Sequence, residues 1–305
     1  MTSHVGVVVN PTAGKGRGAR VGREVHEALR ARGHVVDDLS GPTLERATDR
    51  ARAAALEGLD ALVVVGGDGV VHLGVNVVAG TGVPLGIVAA GTGNDIARSL
   101  GLPKGDVAAA VDAIERGLHD GPRRVDAVRA GTPGSAAREW FVGVLSCGID
   151  AAINARANEM TWPRGSARYV RALVAELSSF EPYGFRVTLD DGVWEQAGTL
   201  VAAANVPWIG GGLKIAPDAL MDDGLLDVVL AGPFTKPAVV RIFPGIYQGK
   251  HLGHPAVEVR RSRSVLIEPL ATNGPHPPVA FADGERIGPL PLLAEVVPGA
   301  LSVLC

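Results

Sequence analysis

Apolar residues in the first 126 positions follow two alternating rhythms. Val5–Val9 is an unbroken run of valine and glycine, as a strand covered on both faces requires. Arg17–Arg32 instead repeats Val21, Val25, Ala28 and Leu29 every three to four places, which is one face of a helix. Val35–Leu39 predicts a second short strand and Leu44–Leu56 a second helix, with Thr43 where an N-cap belongs. Leu59–Val65 predicts a third strand, running into Gly66-Gly67-Asp68-Gly69 and a helix that reaches about Ala79. Leu85–Val88 is a fourth strand, after which Gly91-Thr92-Gly93-Asn94-Asp95 opens another helix. Strands alternating with helices predict an open parallel sheet, whose ligands gather beyond the carboxyl ends of its strands. The glycine-rich loops fall at such ends, and Asp126 ends what reads as one more strand of the same domain.

Beyond Asp126 the rhythm changes. Trp140–Leu145, Phe185–Leu189, Thr199–Ala204, Leu226–Leu230, Val257–Val259 and Val265–Ile267 read as strands separated by turns. Helical excursions fall near Ala167–Phe180 and Pro237–Tyr247. The predicted fold is thus an α/β domain over residues 1–126 followed by a mainly antiparallel β-sandwich over residues 127–305. A return of the final strands to the first domain is left open.

Composition narrows the function. A chain of 305 residues suits two domains, because single cores rarely grow past about 250–300 residues. At 47% hydrophobic it is not a disordered chain. A net charge of −3 argues against nucleic acid as the main partner, since neutralising phosphates needs a basic surplus. Two cysteines, Cys147 and Cys305, make no disulfide framework, and no Cys/His spacing suggests zinc; a reducing cytoplasm fits. The start of the chain has no cationic stretch or cleavage pattern of an export signal. Gly69–Gly93 carries no Asp, Glu, Lys or Arg, yet its glycines, Pro84, His72 and Asn76 suit strands and loops better than a membrane span.

Three loops carry the chemistry. In Asn10-Pro11-Thr12-Ala13-Gly14-Lys15-Gly16-Arg17-Gly18, glycines let backbone N–H groups approach an anion and Lys15 adds a point charge. Gly16 stands where a Walker loop needs Ser or Thr, and the glycines miss the dinucleotide spacing. Gly66-Gly67-Asp68-Gly69 sets a carboxylate beside a phosphate cradle, a conflict that a divalent cation resolves. The bland alternative is an aspartate capping the next helix. Asn94-Asp95 repeats the pattern after Gly91-Thr92-Gly93, and with Asp126 the three acidic residues look like a Mg²⁺–nucleotide site. Asp283-Gly284-Glu285 reads by itself as a hairpin turn.

The order NPxxGxGxG, GGDG, GTGND, NxxxxGGG (from Asn205), DGxLDV (from Asp223) and DGE (from Asp283) resembles the diacylglycerol kinase catalytic family, bacterial soluble lipid kinases most of all. The resemblance spans residues 10–285. It implies two domains with ATP and a lipid acceptor meeting in the cleft between them. It places Asn10, Thr43, Gly66, Gly67, Asp68, Gly69, Val70, Val71, His72 and Thr92 at nucleotide-contacting positions. It implies a water-bridged Mg²⁺ network over Asp68, Asp95 and Asp126, with Lys15 paired to Asp68. It sets a second, structural Mg²⁺ on the Asp223 carboxylate and the carbonyls of Leu220 and Leu225. It makes one of Glu285 and Asp283 the base for the acceptor hydroxyl, with Glu285 narrowly preferred. The family usually continues GGDG with Thr and then Asn-Glu; Val70 and His72-Leu73 depart from it.

The implied reaction gives phosphatidic acid from diacylglycerol. Sphingosine, ceramide, another glycerolipid or NAD as acceptor, and a non-catalytic lipid- or nucleotide-binding protein, are the alternatives. A cytoplasmic protein touching the anionic inner membrane surface follows, without nucleic acid; a homodimer stays open. Arg164, Arg168 and Arg171 form a helical stripe that suits anionic headgroups. Val170, Leu173, Val174 and Leu177 lie roughly opposite, so the same stripe also reads as the solvated face of a helix packed by its apolar side.

Overall fold

The computed structural model describes residues 2–160, 162 and 167–305. These form two compact units: Met1–Ala127 with Met221–Asp223 and Val297–Cys305, and Val128–Leu220 with Gly224–Val296.

In the first unit the chain runs β1 (His4–Val9), the single turn α1 (Ala13–Gly16), α2 (Gly18–Ala31), β2 (Val35–Asp38), α3 (Leu44–Glu57), β3 (Ala61–Gly66), α4 (Asp68–Val78), β4 (Leu85–Ala89), α5 (Asp95–Ser99) and α6 (Val107–Asp120). The strands stand in the order β2-β1-β3-β4 and all pair in parallel, Val5 opposite Ala61 through to Val9 opposite Val65. The end of the chain completes this sheet: Val303 and Leu304 pair in parallel with Leu85 and Gly86. Val25 and Leu29 of α2 and Val111 and Ile114 of α6 close over Val5, Val7, Val63 and Val65. The charge-free stretch from Gly69 is a helix buried nearly all round, with Val70, Val71, Leu73, Val75, Val77 and Val78 inside, followed by a buried strand. That explains its hydropathy, and no helix among the described residues is long and apolar enough to cross a membrane.

In the second unit β5 (Arg123–Gly131), which begins in the first, leads to β6 (Glu139–Phe141), β7 (Val144–Gly148), α7 (Ile149–Glu159), α8 (Ala167–Ser179), β8 (Tyr183–Leu189), β9 (Gly192–Gly198), β10 (Leu200–Ala204), β11 (Leu226–Ala231), α9 (Lys236–Ile246), β12 (Val257–Ser262), β13 (Ser264–Pro269), β14 (Ala280–Ala282), β15 (Glu285–Gly288) and β16 (Leu292–Leu304). One layer is the six-stranded sheet β12-β11-β10-β7-β14-β15, antiparallel throughout. The other is the antiparallel run from the start of β16 through β13 and β8 to β9. Leu145, Val201, Val228 and Leu230 of the first layer pack on Phe185, Val187, Ile267 and Leu292 of the second, a sandwich core of alternate inward residues.

The structure corrects two expectations here. Asp126 stands inside β5 rather than at a strand end, because Val128–Ala130 continue the strand by pairing with β6. Trp140–Leu145 is two strands, not one: the Val142 and Gly143 amides leave the ladder to donate to the Asp283 carboxylate.

Candidate active site

The first unit brings its glycine loops together by backbone contact. A Cβ at Gly91 would lie 2.4 Å from the Gly67 Cα, and one at Gly14 would lie 2.3 Å from the Ala90 carbonyl oxygen. Only glycine permits these approaches, and Gly14 is also left-handed, at φ 57°. The amides of Ala90 and Gly91 both donate to the Gly66 carbonyl, at 2.8 and 3.0 Å, so the ends of β3 and β4 are locked. Asn94, held left-handed at φ 55°, closes the Gly91–Asp95 loop: its side chain accepts from the Gly91 amide and donates to the Gly91 carbonyl. Asn10 Oδ1 likewise accepts from the amide and hydroxyl of Thr12. Gly14, Lys15, Arg17, Gly91 and Thr92 line a cavity of about 550 Å³ beside these loops.

The acidic residues are distributed as follows. Asp68 begins α4, and its Oδ1 accepts from the Ile96 amide at 3.3 Å, which ties it to the start of α5. Asp95 opens α5, is buried, and accepts from Arg98 at 2.9 Å. Asp126 is buried; its Oδ1 accepts from the Gly299 amide and its own amide donates to the Met221 carbonyl, at 2.8 and 2.7 Å. Asp126 thereby stands beside the loop that carries Leu220, Asp223 and Leu225, with Asp222 ion-paired to Arg123 at 2.9 Å. Lys15 is exposed. Val70, Val71 and His72 turn their side chains inward, and the amides of Val70 and Val71 donate to the Gly67 carbonyl. Thr43 caps α3, its hydroxyl accepting from the Arg46 amide at 3.3 Å.

Among the described residues no three His, Cys, Asp or Glu side chains cluster in a way that could hold a metal ion directly. The implied Mg²⁺ sets do not demand such a cluster. The resemblance implies one set held through water, and another in which a single carboxylate and two carbonyls would hold the ion, a hard-oxygen donor set of the kind Mg²⁺ takes.

The second unit supplies a rigid acidic turn. Asp283 and Gly284 both have positive φ, 55° and 87°, which is the two-residue hairpin between β14 and β15. The Asp283 carboxylate accepts from the Val142 and Gly143 amides at 3.2 and 2.9 Å. Glu285 is half-buried, and its carboxylate makes no hydrogen bond or ion pair with the described residues.

Sequence reasoning missed the support for this turn because it missed α7. On that helix Asn154 donates to the Gly284 carbonyl at 3.3 Å, and Asp150 lies one turn before it. Burial pushes Asp150 up to about 6, against the lowering effect of hydrogen bonds from Ser146 and from the Ala151 and Asp150 amides. The signal was the i, i+4 spacing of two polar residues after a glycine, too short a pattern to separate from a loop. Arg17 was also overlooked, although its Nε braces the Gly14 carbonyl at 3.0 Å beside the cavity.

Residues 4–130 match the diacylglycerol kinase catalytic domain, and residues 143–305 match the YegS C-terminal NAD kinase beta sandwich-like domain. A diacylglycerol kinase of Mycobacterium tuberculosis is 38% identical over 302 residues, covering 98% of this chain and 94% of that protein. The diacylglycerol kinase of Bacillus subtilis is 24% identical over 271 residues, 86% of this chain and 84% of that one. A YegS-like lipid kinase of Chromohalobacter salexigens is 32% identical over 193 residues, 61% of this chain and 58% of that protein. In fold, the crystal structure of a diacylglycerol kinase from Bacillus anthracis Sterne superposes with a TM-score of 0.72 at 23% identity, covering 99% of this chain and 96% of that one. The chain therefore belongs to the diacylglycerol kinase-like lipid kinases, phosphotransferases whose acceptor is an alcohol.

Proposed function

We propose that this protein transfers the γ-phosphate of ATP to the hydroxyl of diacylglycerol, giving phosphatidic acid, in a Mg²⁺-dependent reaction. The observation that carries the reading is the backbone-to-backbone lock of Gly67 against Gly91, which fixes two phosphate-sized loops beside a cavity lined by Lys15, Arg17 and Thr92. In phosphoryl transfer, positioning and charge neutralisation do most of the work, and this arrangement offers both. The first-turn amides of α4 and the cations of the Asn10–Gly18 loop hold the phosphates. Asp68, Asp95 and Asp126 take the metal through water, and Asp223 with the Leu220 and Leu225 carbonyls takes the second. Bound there, Mg²⁺ offsets the charge of the phosphates.

Glu285 removes the acceptor proton. Among the described residues its carboxylate has no partner, whereas Asp283 already accepts from two amides and shapes the turn. The other nucleotide contacts fall to the backbone of Gly66–His72 and to Asn10 and Thr43, so Val70 needs no hydroxyl. A membrane-borne acceptor brings the protein, as a cytoplasmic peripheral enzyme, to an anionic bilayer.

The test is a kinase assay with ATP, Mg²⁺ and mixed micelles of diacylglycerol and anionic lipid, products read by mass spectrometry. Parallel tubes hold monoacylglycerol, sphingosine, ceramide and NAD, because relatives of the YegS type leave the acceptor open. Phosphatidic acid that disappears in Asp68→Ala, with cooperative unfolding retained, is the expected result. Product on another acceptor alone replaces the substrate, and ATP binding without any product refutes the reading.

A further inference from the structure

The arginines and valines of α8 do not lie as the amphipathic reading expects. Arg164 falls outside the described residues. Arg168 is half-buried, and its Nε is enclosed without a hydrogen-bond partner among the described residues. The side of α8 that packs inward is instead Ala172, Leu177 and the following Phe180, the last two joining Ile149, Phe234 and Val239 in one cluster. Val170 and Val174, one turn apart, are 62% and 67% exposed. Tyr169 is 39% exposed, and Trp162, just before the helix, is 70% exposed.

Four large apolar side chains in water on one short segment form more than scattered surface hydrophobicity. Both aromatics are held by arginines. The Arg171 guanidinium lies 5.4 Å over the Trp162 ring and donates to the Trp162 carbonyl at 2.9 Å. That of Arg168 lies 5.2 Å over the Tyr169 ring. The one acidic residue of the helix, Glu176, is engaged by Arg156 of α7. The exposed strip is therefore apolar and aromatic with a positive rim.

Valine at the centre, Trp and Tyr at the edge and arginine around them is the composition that settles at a lipid–water interface. We propose that this face of α8, with Trp162, inserts into the surface of an anionic bilayer, Val170 and Val174 entering the acyl boundary and Arg171 meeting lipid phosphate. The inference rests on the lipid acceptor of the proposed reaction, because such an acceptor must be taken from a membrane. It differs from headgroup attraction by an arginine stripe: the apolar residues make the contact and the arginines orient it.

The test uses the full chain with vesicles of phosphatidylcholine alone or mixed with phosphatidylglycerol. Binding is read by co-sedimentation and by tryptophan emission. Wild type should bind the anionic vesicles with a blue shift that Trp162→Phe removes. The double variant Val170→Glu, Val174→Glu should bind at least tenfold more weakly. Its melting temperature should stay the same, as both side chains face water, and so should its turnover of a short-chain, water-soluble diacylglycerol. Vesicle binding unchanged by the valine variant overturns the proposal, as does binding lost on Arg171→Glu but not on valine replacement. A wild-type dimer that this variant dissociates, without change in vesicle binding, assigns the face to a second copy and also overturns it. If no acceptor is phosphorylated while the vesicle results hold, the reaction falls and the surface stands.

Discussion

Replacing Gly91 by alanine tests the core of the candidate site. The added Cβ would lie 2.4 Å from the Gly67 Cα, 2.8 Å from Asn94 Oδ1 and 3.0 Å from the Gly67 nitrogen. None of these, apart from the Asn94 tip, is a flexible side chain that can swing aside. Reaching ordinary van der Waals separation requires the two loops to part by roughly 1 Å, and overpacking of this kind costs about 1–3 kcal/mol. The Ala90 and Gly91 amides that bind Gly66 would have to lengthen their hydrogen bonds to permit it. Gly91→Ala should therefore lower the melting temperature by about 2–4 °C for each kcal/mol. A shift of about 1 Å in groups that position phosphate can cost ~100-fold in rate, so kcat/KM for ATP should fall far more than the stability loss explains. Two controls grade the effect. A Cβ at Gly67 would sit 3.3 Å from the Gly91 Cα, a milder contact, and one at Gly253 would meet nothing within 4 Å. Scanning calorimetry and steady-state kinetics should rank Gly91→Ala worst, Gly67→Ala second and Gly253→Ala neutral. Wild-type melting and kcat/KM in Gly91→Ala would refute the account of a loop lock.

Three further outcomes are expected. Glu285→Gln should lower kcat by ~100-fold or more with little change in melting, as befits a lost base, whereas Asp283→Ala should destabilise by about 1–3 kcal/mol because two amides lose their acceptor; equal melting of the two variants would refute the division of roles. Asp150 holds its proton to about pH 6 when folded and only to its ordinary 3.8 when unfolded, so the folded state binds more protons in between. Stability from this group is thus greatest below about pH 4 and is lost as pH rises to about 6, by up to roughly 3 kcal/mol. Urea midpoints of Asp150→Asn relative to wild type should accordingly rise between pH 4 and pH 6.5, and a constant difference would refute the burial argument. Finally, Cys147 is buried and its thiol is pushed up by burial, while Cys305 is partly exposed. Native alkylation followed by mass spectrometry should find one adduct, on Cys305, and a modified Cys147 would contradict its placement.

The first unit was legible because its elements have strong local signatures. Val5–Val9 and Leu59–Val65 can bury both faces only inside a parallel sheet, and their glycine-rich sequels mark its ligand end. What was hidden depends on distant partners. Nothing near Val142 and Gly143 announces that their amides turn to a carboxylate 140 residues away, so the strand break could not be read locally. The α8 pattern is amphipathic, but periodicity gives only the angle between two stripes; which one meets the protein is settled by Phe180, Phe234 and Val239 from elsewhere in the chain. At the site, the composition of the loops showed where anions belong. It did not show that Val70 turns inward, or that Asp283 is occupied while Glu285 has no partner among the described residues.

The strand β16 has a consequence for how the protein is made. Its first residues pair with β13, while its last ones pair with β4 and supply the Ala300 carbonyl to Gly80 and the Gly299 amide to Asp126. Leu304 also packs flush against Gly117 of α6, where a Cβ would come within 2.7 Å of its backbone. As the chain leaves the ribosome, residues 1–127 thus emerge with a gap in their sheet edge that more than 160 intervening residues must be synthesised to fill. Such long-range closure is slow, and an open strand edge invites pairing with other chains in the meantime. The half of the molecule made first is therefore the half finished last, its β4 edge open until the final strand arrives.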